Sequence, residues 1–537
     1  AGGAAVARVV QSNLTTDPRT QNLLTMPAYS TGETASGNGT VTVIAEYVDE
    51  AGANVPSSLS FPSVAAAAYT SSDGYEELHL FFGMTWFDVG SWAWAHFIVE
   101  WGTKGVFQGE RMFYVAAMVD DLFLATAVFE YDGLTNEGPK ERLTAADMEN
   151  FLSFERSLNA QYSSNITTEW PFNGLGILDI VNSSYVFKVL NPASGLLPKG
   201  QKVNGTGVPP VTPVGWLEEA VPGMAAELNA GRWAADGLLQ WVRDNLGAFW
   251  WQSHTFSHLM RDDLGASDCE NEDTGLAQLA VMTGIFASNN HNWRSFTPPG
   301  ITGHFNKYCL ATASANLMTC APGDNTYDGI NTQVRLTSNV SAYHSLYTTE
   351  AINGFTGFQI VPRYSTAVYF NCATGDCLVR ENEFIRRTVC GCTNLDPSLD
   401  KGVCASCGED IQSFGTLENL YAIEALTTTR YILMGRRDKY MFHQANVINN
   451  SDLPGGSLLS NWYHEIMASL SKYIAFPATS KKFDDMCSEF ALHEDLDGSG
   501  AVLTVTLDNL SGSISGVNLT ASGTAGVIPL TVPSSSV

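Results

Sequence analysis

The stretch Met112-Phe-Tyr-Val-Ala-Ala-Met-Val119-Asp120-Asp121 decides how this chain is read. Eight apolar residues follow one another without polar alternation, as in a parallel strand buried on both faces. The run then ends on two carboxylates. Charges at the end of a buried strand are costly unless something uses them, and the carboxyl ends of barrel strands are where chemistry sits. Side chains alternate along a strand, so the two acids can take different roles. The plain alternative is a cap followed by a surface acid.

Outward from this run, segments of two periodicities alternate. Residues 87–105, 144–160, 223–248, 270–288 and 458–473 carry helical spacing, with Thr144 as a candidate cap before Ala145-Ala-Asp-Met-Glu149. Phe249-Trp-Trp251 and Phe355-Thr-Gly-Phe-Gln-Ile-Val361 read as strands, and Tyr431–Met434 and Tyr440–Phe442 as buried. Such alternation argues for an α/β core, a distorted (β/α) barrel. Residues 1–40 read as a weakly ordered lead-in, followed by the strand-like Thr40–Val48. Beyond Pro477 the texture turns to Gly, Ser and Thr with alternating apolar residues. The expected layout is an N-terminal β-rich or α-β region (1–110), a barrel (111–475) and a small β-rich C-terminal module (476–537). The abrupt start at Ala1 suggests missing upstream sequence.

Composition narrows the function. The 537 residues hold 28 Lys+Arg against 55 Asp+Glu, a formal charge of −27. That argues against a nucleic-acid binder, which needs clustered basic groups. Only 15% of residues are charged and 45% are hydrophobic, which excludes a disordered chain. The most apolar window, Leu78–Trp101, contains His79, Asp88, His96 and Glu100, so a membrane span is not expected. Six of ten cysteines crowd between Cys372 and Cys407. Disulfides in an oxidising compartment fit better than zinc, because Cys404-x-x-Cys407 is the single clean CxxC half. Asn-x-Ser/Thr sequons at Asn13, Asn38, Asn165, Asn182, Asn204, Asn339, Asn449, Asn509 and Asn518 agree with a secreted, extracellular or cell-wall glycoprotein.

Two further motifs carry chemistry. In Ser253-His254-Thr-Phe-Ser-His258 the histidines are four apart, and one helical turn would let both share a metal. A metalloprotease would carry its Glu base where Thr255 stands. Met441-Phe442-His443-Gln-Ala-Asn446 delivers a histidine from an apolar pair, which suits a positioned acid. One Asp and two His leave open metal positions for water and substrate.

Together these segments resemble the polysaccharide deacetylases. Asp120-Asp121 looks like that family's Asp-Asp motif, here preceded by Met118-Val119. Ser253–His258 fully matches its Ser-His-Thr/Ser-x-x-His motif. Phe442-His443 stands at its Leu-x-His acid, with Met441 at the Leu position. Within the superfamily, the motif texture and long spacers resemble the fungal secreted galactosaminogalactan deacetylases, carbohydrate esterase family 18, over about residues 40–475.

The resemblance implies a metal-dependent de-N-acetylase acting on N-acetylhexosamine polymers. Asp121, His254 and His258 would hold a divalent metal, zinc (Zn2+) first. Asp120 would be the base and His443 the acid. Arg294-Ser-Phe-Thr-Pro-Pro-Gly300 matches the third motif poorly; Pro298 and Pro299 have no N–H, so Gly300 or Ile301 would serve the oxyanion. Arg294 and Arg363 are further candidates around the base. Trp250, Trp251 and Trp293, neighbours of the motifs in sequence, are the stacking candidates, with core packing as the plain and favoured reading of each. The N-terminal region would bind carbohydrate, and the chain would be a monomer. The acidic surface would either hold a polycationic product near the enzyme or simply keep the chain soluble in an acidic medium. The competing readings are a non-catalytic carbohydrate-binding wall protein with decayed motifs, a mononuclear metal dioxygenase, and a two-carboxylate glycoside hydrolase.

Overall fold

The computed structural model describes residues 39–532 except 48–62, 72–75, 81, 110, 132–136, 180–230, 286–289, 325–344, 394, 397–414, 476, 508–513, 523–527 and 529. Residues 1–38 of the expected lead-in, residues 223–230 of the expected helical segment 223–248, Cys404-x-x-Cys407 and the sequons at 13, 38, 182, 204, 339 and 509 lie outside the described residues.

Seven parallel strands close a barrel in chain order. They are β1 (Ala117–Asp120), β2 (Glu169–Phe172), β3 (Trp250–Ser253), β4 (His291–Phe296), β5 (Cys320–Asp324), β6 (Gln359–Ser365) and β7 (Lys439–His443). Each pairs with the next, and β7 pairs with β1 to complete the ring. Register sets His443 directly beside Asp120. All four residues of β1 are buried, as a strand covered on both faces requires.

The apolar run is shorter in the barrel than its sequence suggests. Phe113–Tyr114 forms a separate pair with Ala478–Thr479, and Val115 donates its N–H to the Thr479 carbonyl. The strand near 355–361 lies further along, at Gln359–Ser365. Tyr431–Leu433 is buried, but as the end of a helix.

Helices wrap the barrel: α1 (Ala145–Tyr162), α2 (Ala266–Thr283), α3 (Gly375–Val389), α4 (Leu417–Leu433), α5 (Leu458–Leu470) and α6 (Phe483–Gly498). Thr144 caps α1 in a reciprocal box: its Oγ1 accepts the Asp147 N–H while the Asp147 carboxylate accepts the Thr144 N–H. One large core joins Val119, Trp170, Trp251 and Phe442 on the strands' outward faces to Met148, Phe151, Ile432, Trp462 and Ile466 on the helices.

The inward faces hold a second, polar-floored core. At the strands' amino ends Lys439 forms a fully buried ion pair with Glu169. Beneath it, α6 closes the barrel. Phe483, Met486 and Phe490 pack against Met118 and Val361, and Cys487 is disulfide-bonded to Cys320 at the start of β5. The Asp484 carboxylate accepts the N–H groups of Trp293 and Arg294 and the Ser295 hydroxyl. So the segment 476–537, β-rich by texture, begins with the short strand Ala478–Thr479 and then a full helix, which takes in His493-Glu-Asp-Leu-Asp-Gly498. A hairpin, Val502–Leu507 with Ile514–Thr520, follows.

Before the barrel, Gly39–Tyr47, Ser63–Ser71 and Glu76–Leu80 make an antiparallel sheet covered by the helix Val89–Thr103 through Trp94. Cys269–Cys309 and Cys372–Cys377 are also disulfides, and Cys390 and Cys392 are disulfide-bonded. Among the described residues no helix is long and apolar enough to cross a membrane.

Candidate active site

Three ligand-type side chains meet at the carboxyl end of the barrel. The donor atoms of Asp121, His254 and His258 all lie within 4.8 Å of one another. Asp121 Oδ1 is 3.1 Å from His254 Nε2 and 3.0 Å from His258 Nε2.

Backbone conformation makes this possible. On a regular strand Asp121 would point away from Asp120. Instead it turns into the left-handed region at φ 67°, directly after the strand ends. Thr255 (φ 65°) and His258 (φ 62°) do the same on the facing loop. For a β-branched residue such as Thr255 this is an outlier, of the kind that strong local contacts must hold and that clusters at functional sites. The contacts are present. Asn173, at the end of β2, donates its amide N–H groups to the carbonyls of His254 and Thr255. Glu272 on α2 accepts the Ser257 N–H at 2.9 Å and the Ser257 hydroxyl. Thus a loop, not a helical turn, brings the two histidines together.

Donor chemistry tests whether a cation fits. His254 Nδ1 lies 2.7 Å from the Thr297 carbonyl, which can only accept, so Nδ1 carries the hydrogen. In the neutral ring Nε2 then offers a lone pair toward the Asp121 carboxylate, another acceptor. Two acceptors 3.1 Å apart require a cation between them, a proton or a metal. Two imidazoles and one carboxylate suit zinc or another first-row divalent ion. The residues therefore fit a metal. Burial works to raise the Asp121 carboxyl, but the contacts with both histidine rings and the charges of His258 and His443 hold it well below the usual range. Burial works to lower His258, yet its bond to Asp121 and the nearby Asp120 and Glu272 raise it.

Asp120 and His443 flank this triad. Arg363 Nη2 donates to Asp120 Oδ2 at 2.7 Å, both side chains being buried. The other oxygen, Oδ1, is buried with no hydrogen-bond partner among the described residues. His443 Nε2 is 3.9 Å from Asp120 Oδ2. Burial lowers the His443 imidazole against the pull of Asp121 and Asp120.

The remaining candidates divide. Gly300 sits in the turn Pro299–Ile301 just beyond Thr297, at φ 54° with Met260 against its Cα. Ile301 has its N–H committed to the Pro298 carbonyl, so Gly300 is the better placed donor of the two. Trp251 is 0% exposed in the outer core, its indole N–H bonded to the Leu246 carbonyl, so it cannot stack on a sugar. Trp250 begins β3, four residues and about 13 Å of strand before His254, with Lys439 over its ring. Trp293 and Arg294 are tied to Asp484 at the barrel floor. These three lie at the end opposite the triad. Asn173, Glu272 and Thr297 were not evident in the sequence. Asn173 and Thr297 leave a trace only in position, directly after a strand, and Glu272 leaves none, one acid among several on α2.

Comparison with known proteins agrees with this geometry. A family profile described as the Agd3 deacetylase domain matches residues 115–504. No curated protein matches. Among solved structures, one titled "Crystal structure of Agd3 a novel carbohydrate deacetylase" superposes with TM-score 0.70 and 25% identity, over 88% of this chain and 67% of that one.

Proposed function

The chain belongs to the Agd3 deacetylase domain family, and from that premise we propose that it removes N-acetyl groups from an amino-sugar polymer in a metal-dependent reaction. It carries a carbohydrate deacetylase fold with a barrel core. The observation that supports the finer reading is the pairing of His254 Nε2 and Asp121 Oδ1 as facing acceptors, beside a base candidate with a buried oxygen that has no partner among the described residues.

Asp121, His254 and His258 would hold the metal. A bound divalent ion, zinc first, supplies Lewis-acid polarisation and a more acidic water. Asp120 accepts the proton of the attacking water through its unpaired Oδ1, while Arg363 fixes the carboxylate through Oδ2. His443, on the neighbouring strand, donates a proton to the departing amine. The backbone N–H of Gly300 is offered to the developing oxyanion. The products are acetate and a free amino sugar.

The proposed substrate is N-acetylgalactosamine or a related N-acetylhexosamine in a galactosaminogalactan-like polymer. An extracellular location is supported by the disulfides and by the exposed sequon asparagines Asn165, Asn449 and Asn518. The test is release of acetate and free amine from N-acetylgalactosamine and N-acetylglucosamine oligomers, with metal analysis and a chelator arm. Activity that survives complete metal removal, or an active Asp120→Ala protein, refutes the reading.

A further inference from the structure

The indoles nominated by sequence proximity leave the acid's neighbourhood empty of a platform, yet one aromatic ring stands there. Phe370 lies on the loop after β6, and its ring centroid is 5.6 Å from that of His443, inclined at 60°. It is 52% exposed, while Asn371 and Cys372, the next two residues, are buried.

That loop is fastened on every side. The Asn446 amide donates to the Tyr369 carbonyl at 2.7 Å and to the Cys372 carbonyl at 2.9 Å. Phe129 donates its N–H to the Asn371 carbonyl at 2.8 Å. The Cys372–Cys377 disulfide closes the loop five residues on. The same Asn446 accepts the His443 N–H at 2.9 Å, so one side chain sets the relative positions of acid and ring. An exposed phenyl group on a flexible tip would need no explanation. Here the support is rigid, and preorganised faces lower the entropy lost on binding.

The chemistry of amide cleavage supplies the ligand. A general acid must come within about 3 Å of the leaving nitrogen. The pyranose bonded to that nitrogen then passes against whatever packs on the acid, and that is Phe370. Pyranose rings present C–H faces that match the flat, polarisable face of a phenyl group.

We propose that Phe370 is a substrate-positioning residue whose exposed face stacks on the amino-sugar ring presented to His443. This rests on the deacetylase reading above. The test measures steady-state kinetics of wild type, Phe370→Ala, Phe370→Leu and Phe370→Trp on an N-acetylgalactosamine hexamer. A companion measurement takes hexamer Kd in an Asp120→Asn background with and without Phe370→Ala. Thermal midpoints confirm that each variant folds. The expected result is a tenfold or larger rise in KM and Kd for the alanine variant, with kcat within threefold. The tryptophan variant restores KM and the leucine variant does not, because leucine is apolar but has no flat face. A fall in kcat at constant KM means the ring only props His443, and overturns the proposal. Equal rescue by leucine, or no change in the alanine variant, overturns it as well. A wild-type protein that neither turns over nor binds the hexamer overturns the deacetylase reading itself, and this inference with it.

Discussion

Replacing Glu155 by Gln removes a pH dependence that reaches from a helix to the strand carrying Asp120. Glu155 on α1 is buried and accepts both the N–H and the hydroxyl of Thr168. With the Thr168 hydrogen so used, the Tyr463 hydroxyl donates to Thr168 Oγ1, and the Ala117 N–H donates to Tyr463. Ala117 is the first residue of β1. Burial, offset only in part by the Thr168 bonds and Arg156, pushes the Glu155 carboxyl from 4.5 up to about 8. The folded protein thus keeps a proton that the unfolded chain loses near 4.5. Stability from this group is fully present below 4.5 and is lost as pH rises through about 8. At roughly 1.4 kcal/mol per pH unit, the loss is on the order of 5 kcal/mol for a fully buried group. Glutamine imitates the protonated acid and does not titrate. Urea denaturation of both proteins, followed by Trp fluorescence from pH 4.5 to 9, should give curves of free energy that diverge steadily, wild type losing the more. Parallel curves across that range would refute the argument.

Other tests address the site and the frame. Glu272→Gln should weaken metal binding at least tenfold with little change in melting temperature, read by competition with a fluorescent chelator, because the Ser257 anchor loosens the loop bearing His258. Arg363→Met strands a buried carboxylate; a stability loss of about 3–5 kcal/mol by chemical denaturation, with acetate release abolished, is expected. Serine at both Cys320 and Cys487 opens a 167-residue separation, and in the chain-entropy account costs about 5 kcal/mol, measured against wild type under non-reducing denaturation.

The sequence was most legible where chemistry dictates residue type. The Asp-Asp pair and the Ser253–His258 segment could be found because a candidate metal ligand or base is restricted to a few side chains such as carboxylate and imidazole, and the structure draws Asp121, His254 and His258 together. Arg363, an isolated basic residue in Val361-Pro-Arg-Tyr364, proves to bind Asp120. Nearness in sequence made the tryptophans beside the motifs stacking candidates, and the plainer reading of Trp251 as core is the one the structure bears out, because four residues of extended strand separate the two ends of a barrel. The length of the 112–119 run could not show that Phe113–Tyr114 pairs with residues more than 360 positions away. Phe483, Met486, Cys487 and Phe490 follow helical spacing, but the Gly/Ser/Thr texture beyond them dominated the reading. Phe370 was invisible because a loop's position follows from its tertiary fastenings, which no local pattern encodes.

The floor helix bears on how this chain can be divided. Its change in composition near Pro477 invites a cut there, and such a cut would strip away Phe483, Met486 and Phe490. Met118 and Val361 would face water, the Asp484 bonds to β4 would vanish, and Cys320 would be left a lone thiol. An excised fragment ending at 475 is therefore a recipe for aggregation. A piece meant to keep the barrel floor has to run at least through Gly498, whatever the texture of the letters suggests.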